Sequence, residues 1–114
     1  MRPGVHTVRV CRLDEFPVGT MREVDDFPPI LLFNVEGAIY AIDDVCSHAY
    51  SLLSEGHFDG TTIECPLHMS RFDVRTGEPI CPPATEPVRT HKVEIVDGEV
   101  TVHVGLRADS TGDE

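Results

Sequence analysis

Residues 46–73, CSHAYSLLSEGHFDGTTIECPLHMSRFD, carry two cysteines and three histidines, and four of these five fall into two tight pairs. The first is Cys46-x-His48; sixteen residues later comes Cys65-x-x-His68. One such pair is a weak signal, because both residue types occur in ordinary cores. Two pairs, each beside turn-forming residues, point to one shared metal centre. Zinc would accept two thiolates and two imidazoles, but its structural sites usually draw like ligands from one loop, as in Cys-x2-4-Cys and His-x3-5-His. Here each loop offers one of each. That mixture suits a two-iron, two-sulfide cluster in which one iron takes both thiolates and the other both imidazoles.

Strands must bring the two loops together. Residues 5–13, VHTVRVCRL, alternate as a strand does, and 19–24 form a weaker second strand. ILLFNV (30–35) and AIYAI (38–42) flank Glu36-Gly37, which predicts a hairpin. KVEIVDGEVTVHV predicts another: a two-residue Asp97-Gly98 turn sets Ile95 opposite Val100, Val93 opposite Val102, Glu94 opposite Thr101 and Lys92 opposite His103. Between the hairpins, residues 43–85 read as an insert. In it TTIEC leads into the second loop, RFDV leads out, 75–77 turn, and CPPATEP closes the segment. No segment longer than about ten residues shows helical spacing of apolar positions. The fold class expected is all-β and antiparallel, a sandwich with a small metal-binding subdomain inserted between strands.

The 114 residues suffice for one ordinary domain. Twenty acidic against nine basic residues give a formal charge of -11, which would repel a phosphate backbone, so no nucleic-acid partner is expected. The acidity serves solubility or a docking face for a basic protein partner. MRPGVHTVRV lacks the layout of a secretory signal, and no apolar run approaches the ~18 residues of a membrane span. A cytoplasmic protein without membrane contact is expected, and in that compartment four cysteines are poor candidates for disulfides.

The stretches CSH and ECPLHMSRFDVRTGE resemble the cluster loops of Rieske proteins, and most of all those of the small Rieske ferredoxins of bacterial aromatic-ring dioxygenase systems. The resemblance covers nearly the whole chain. It implies one Rieske-type 2Fe-2S cluster, with Cys46 and Cys65 on one iron and His48 and His68 on the outer iron through ring nitrogens. It also implies layered antiparallel sheets with the cluster at one tip and Pro82-Pro83 in a loop covering it. The domain so implied spans residues 1–106, with 43–85 as its cluster-binding subdomain and 107–114 as an acidic, flexible tail. A ring-hydroxylating subunit would need a further large domain, so the role implied is a carrier, not an enzyme. It would be a monomer in isolation that accepts one electron from an NADH-oxidising, flavin-dependent ferredoxin reductase and delivers it to the terminal oxygenase.

High-potential members of the family add a cysteine to each loop. The corresponding positions here are Ser51 and Leu67, and Phe72 stands where those members place a tyrosine hydroxyl near a cysteine sulfur. Ser70 matches a serine that donates to a bridging sulfide in them. A potential near the low end of the roughly -150 to +300 mV Rieske range is expected. Cys11 and Cys81 read as small buried hydrophobes, with Cys81 near enough to Pro82 to approach the site. His57 reads as a surface residue, and His6, His91 and His103 lie on strands away from the insert with no role assigned. Competing readings are a small Rieske-like subunit of another reductase, such as one that reduces nitrite, and a zinc-stabilised interaction module.

Overall fold

The structure is a computed structural model that describes residues 6–26, 29–46, 51–66, 70–81 and 86–105. Two hairpins organise its larger sheet. Strands β3 (Ile30–Val35) and β4 (Ala38–Asp43) join through Glu36 at φ 53° and Gly37 at φ 102°. Strands β9 (Thr90–Val96) and β10 (Glu99–Val104) join through Asp97 at φ 51° and Gly98 at φ 79°. Positive φ at both central residues gives turns whose twist matches that of the flanking strands. The β9–β10 register is the one the sequence predicts, with Ile95 opposite Val100, Glu94 opposite Thr101, Val93 opposite Val102 and Lys92 opposite His103.

Strands β1 (His6–Arg12) and β2 (Met21–Val24) complete a six-stranded antiparallel sheet in the order β1-β10-β9-β4-β3-β2. The sheet curls until its two edges meet. His6 Nε2 on β1 lies 2.8 Å from Asp26 Oδ2 just beyond β2, and the Arg22 guanidinium donates to the Glu15 carbonyl while lying over the Phe16 ring. Closure of this kind protects edge strands from pairing with other chains.

Four short strands form the second sheet: β5 (His57–Phe58), β6 (Thr62–Glu64), β7 (Arg71–Asp73) and β8 (Pro79–Cys81), in sequence order. All fall between β4 and β9, within the stretch that reads as an insert. Because β4 and β9 are themselves paired, Ala41 with His91 and Ile42 with Thr90, the insert leaves and re-enters the large sheet at adjacent points.

β3 explains how the sheets hold together. Every residue of ILLFNV is buried, as a run without polar alternation implies when both faces of a strand are covered. Ile30 and Leu32 point into the curled sheet with Phe16, Ala41, Val100, Val102 and Val104. Leu31, Phe33 and Val35 point the other way, towards Ile63, Phe72 and Val74 of the insert. Phe33 also meets Phe58 of β5 at a ring-centroid distance of 4.8 Å, an arrangement that contributes about 0.5–1.5 kcal/mol beyond area burial. The apolar face expected of the β9–β10 hairpin is covered more fully on β10 than on β9. Val100 and Val102 are fully buried, whereas Ile95, directly opposite Val100, is 44% exposed, because β10 is flanked by β1 there while β9 pairs with β4 only at Thr90 and His91.

Candidate metal centre

The two cysteines expected to bind metal sit at matching places in two loops built alike. Cys46 N–H donates to the Ser51 carbonyl at 2.9 Å, and Cys65 N–H donates to the Ser70 carbonyl at 2.7 Å. Each bond joins a cysteine to the residue five positions on, so each Cys/His pair lies at the start of a short loop pinched at its base. The stems differ. Beneath Cys65 a regular ladder runs through Glu64 opposite Arg71, Ile63 opposite Phe72 and Thr62 opposite Asp73. Beneath Cys46 there is one isolated bridge, Val45 with Leu52, and below it the Leu53 amide donates to the Asp44 carbonyl.

Both cysteines turn inward. Cys46 is 4% exposed and Cys65 0%, and they share one apolar cluster with Leu31, Phe33, Leu53, Ile63 and Phe72. Neither is in a disulfide. Of the leucines beside the loops, Leu53 is fully buried against this cluster and Leu52 is exposed. The loops are also fastened to each other. Gly56 follows the 3-10 turn Leu53–Glu55 and packs so closely on the backbone of Glu64 that an added Cβ would run into the Glu64 carbonyl oxygen. The exit of the first loop is thereby pressed against the entry of the second.

His48, His68, Leu67 and Pro82-Pro83 lie outside the described residues, as does the 107–114 tail. Cys81 is placed by its backbone, which pairs with Arg71 in the ladder; its side chain is likewise outside the description. Cys11 belongs to the other core, packed against the interior of the curled sheet, and burial pushes its thiol above the usual value. His57 is exposed beside a shallow cleft of about 310 Å³ that Glu55, Glu64, Cys65 and Pro66 also line.

Polar locks surround the insert. The amides of Thr62 and Thr61, with the Thr62 hydroxyl, hold the Asp59 carboxyl below its ordinary value at the β5–β6 turn. Burial pushes the Asp73 carboxyl upward, but bonds from the Arg75 guanidinium and amide outweigh it and leave it lowered. His91, to which the sequence assigns no role and a place away from the insert, stands instead at its boundary. The fully buried ring accepts the Gly105 N–H at Nδ1 (2.9 Å), so Nε2 carries the proton and donates to Asp43 Oδ1 at 2.7 Å. Asp43 is also paired with Arg89. The alternation of β9 carries a signal for this: His91 shares a face with Val93 and Ile95, the core side.

The donor set fits an iron–sulfur cluster. Two thiolates buried in one apolar cluster would be costly without a cation to offset their charge, and short loops beginning at those residues can carry further ligands to the same place. Comparison with known proteins agrees. The Rieske [2Fe-2S] domain model matches residues 6–92. The chain therefore belongs to the Rieske family and carries one Rieske-type 2Fe-2S cluster.

Its relatives narrow the class. The chain is 44% identical over 96 residues, 83% of its length and 91% of the relative's, to the 3-phenylpropionate/cinnamic acid dioxygenase ferredoxin subunit of Photorhabdus laumondii. It superposes with TM-score 0.77 and 39% identity on the ferredoxin of carbazole 1,9a-dioxygenase from Nocardioides aromaticivorans IC177, covering 84% of this chain and 95% of that one. It also matches a chain of the complex of reduced oxygenase and oxidized ferredoxin in carbazole 1,9a-dioxygenase, with TM-score 0.83 and 38% identity over 89% of this chain and 94% of that one.

Proposed function

We propose that this protein is the ferredoxin component of an aromatic-ring dioxygenase system, a one-electron carrier with no substrate chemistry of its own. Its relatives are ferredoxin subunits, and one solved neighbour comes from a complex of ferredoxin with its terminal oxygenase. The observation that carries the reading is the burial of Cys46 and Cys65 in one core at the heads of two matched loops. Cys46 and Cys65 would hold the inner iron, and His48 and His68 the outer iron. When bound, the cluster takes up and releases one electron.

The chain's own residues supply the rest. The apolar cluster around Leu53, Ile63 and Phe72 keeps water from the sulfur side, which bears on the potential, and the pinched stems fix where each loop begins. The electron would arrive from an NADH-dependent flavoprotein reductase and leave to the terminal oxygenase through the imidazole side. We read residues 1–106 as one Rieske domain with 43–85 as its cluster-binding insert, and the protein as a cytoplasmic monomer. Among the described residues no helix is long and apolar enough to cross a membrane.

Anaerobically prepared protein should contain iron and acid-labile sulfide in equal amounts. Replacing Cys46, His48, Cys65 or His68 singly with alanine should abolish the chromophore while Cys11→Ala and Cys81→Ala keep it. Zinc in place of iron, or a full chromophore in His48→Ala/His68→Ala, would overturn the assignment.

A further inference from the structure

The two loop stems correspond position for position, and the comparison isolates one residue. Two places before Cys65 stands Ile63, fully buried and paired with Phe72, which lies two places after Ser70. Two places before Cys46 stands Asp44, also buried, whose carbonyl accepts from Leu53, two places after Ser51. One loop is thus stapled by an apolar pair and the other by a carboxylate 2% exposed. The Asp44 carboxylate accepts the Ser54 amide at Oδ1 (2.7 Å) and the Ser54 hydroxyl at Oδ2 (2.9 Å). Its own amide donates to the Pro29 carbonyl at 3.0 Å.

Among the described residues, every donor to that carboxylate is neutral. Arg89 and His91 go to the adjacent Asp43, and none of the ion pairs among the described residues includes Asp44. A buried carboxylate held by neutral donors is costly to retain, and the Ile63–Phe72 pair shows that the corresponding place in the second loop is filled by an apolar staple. A charge kept at such cost, two residues from a buried cysteine, acts on whatever that cysteine holds, because screening is weak in the interior.

We propose that Asp44 is a positioning residue of the first loop and that its fixed negative charge lowers the reduction potential of the cluster. This rests on the reading of Cys46 as an inner-iron ligand. Negative charge near the centre opposes uptake of an electron, so the oxidised form is favoured. Ser54 sets the strength of the effect, since its two donors partly offset the charge.

Two variants of the holoprotein separate charge from structure. Asp44→Asn can keep both contacts, its oxygen accepting from the Ser54 amide and its NH2 donating to the Ser54 oxygen, so only the charge is lost; the midpoint potential should rise at unchanged iron and sulfide content. Ser54→Ala keeps the charge and removes one donor, and the midpoint should fall. A purely structural role would move both in one direction or neither, and either result overturns the proposal. Should Asp44→Asn fail to assemble, Ser54→Ala decides alone, and an unchanged or raised midpoint refutes it. Cys46→Ala, measured in the same series, tests the ligand reading separately: a retained cluster there would sink that reading whatever the Asp44 variants show.

Discussion

Ser70 does two jobs that can be taken apart. Its carbonyl pinches the second loop by accepting the Cys65 amide, a bond any residue could supply. Its side chain is fully buried beside the site, where the family resemblance gives its hydroxyl to a bridging sulfide. A hydrogen bond to a charged acceptor is worth about 1.5–3 kcal/mol, so Ser70→Ala should lower the midpoint by roughly 65–130 mV. The cluster content should not change. Protein-film voltammetry would check it, and an unmoved potential would assign the serine to loop closure alone. Residue type and spacing mark the two Cys/His pairs as candidate ligands in the sequence, and the structure brings Cys46 and Cys65 of those pairs into one core. Asp44 was not legible: the Asp43-Asp44 pair is visible before Cys46, but what distinguishes the two acids is that one is buried and the other reaches Arg89 and His91, which only the packed sheets decide.

Both hairpins were legible in the sequence from their turns, Glu36-Gly37 and Asp97-Gly98, and the second down to individual pairings, because alternation there fixes the face. The insert was legible in its strands β6 and β7, but not in its attachment. Gly56 shows why: its backbone is extended at φ -93°, so no turn signal marks it, and its importance comes from the approach of Glu64. Gly56→Ala would force apart the exit of one loop and the entry of the other. Overpacking of this kind costs typically ~1–3 kcal/mol. Thermal melting of the holoprotein should show that loss, together with faster bleaching under chelator, whereas Gly37→Ala, which is strained by its φ of 102° but lies at the β3–β4 turn away from the loops, should lower melting and still bleach at the parental rate. Equal bleaching rates for Gly56→Ala and the parent would show that the two loops are not braced through this contact.

At the scale of the molecule the dominant fact is charge. The oxidised cluster adds a core of plus two and two thiolates of minus two, leaving the formal -11 of the sequence, and one electron changes it only to -12. Docking should therefore respond weakly to redox state but strongly to salt, since electrostatic steering can raise association rates by about 10 to 10³-fold at low ionic strength. Stopped-flow reduction of the terminal oxygenase by this carrier should slow at least about tenfold between 10 and 500 mM salt, given a Debye length that shrinks from about 30 Å at 0.01 M to a few Å near 1 M. A rate indifferent to salt would assign the acidity to solubility.

The pairing of β4 with β9 means that the excursion carrying the cluster begins and ends on neighbouring rungs of one ladder. Opening that excursion uncovers Leu31, Phe33 and Val35 but breaks no strand pairing of the six-stranded frame and leaves the core inside the curl intact, so the frame and the excursion can have separate free energies of opening. Amide hydrogens at Ile63 and Phe72 would then exchange through a lower-energy partial opening than those at Val100 and Val102. The chain could lose and regain its metal many times while the frame remains closed.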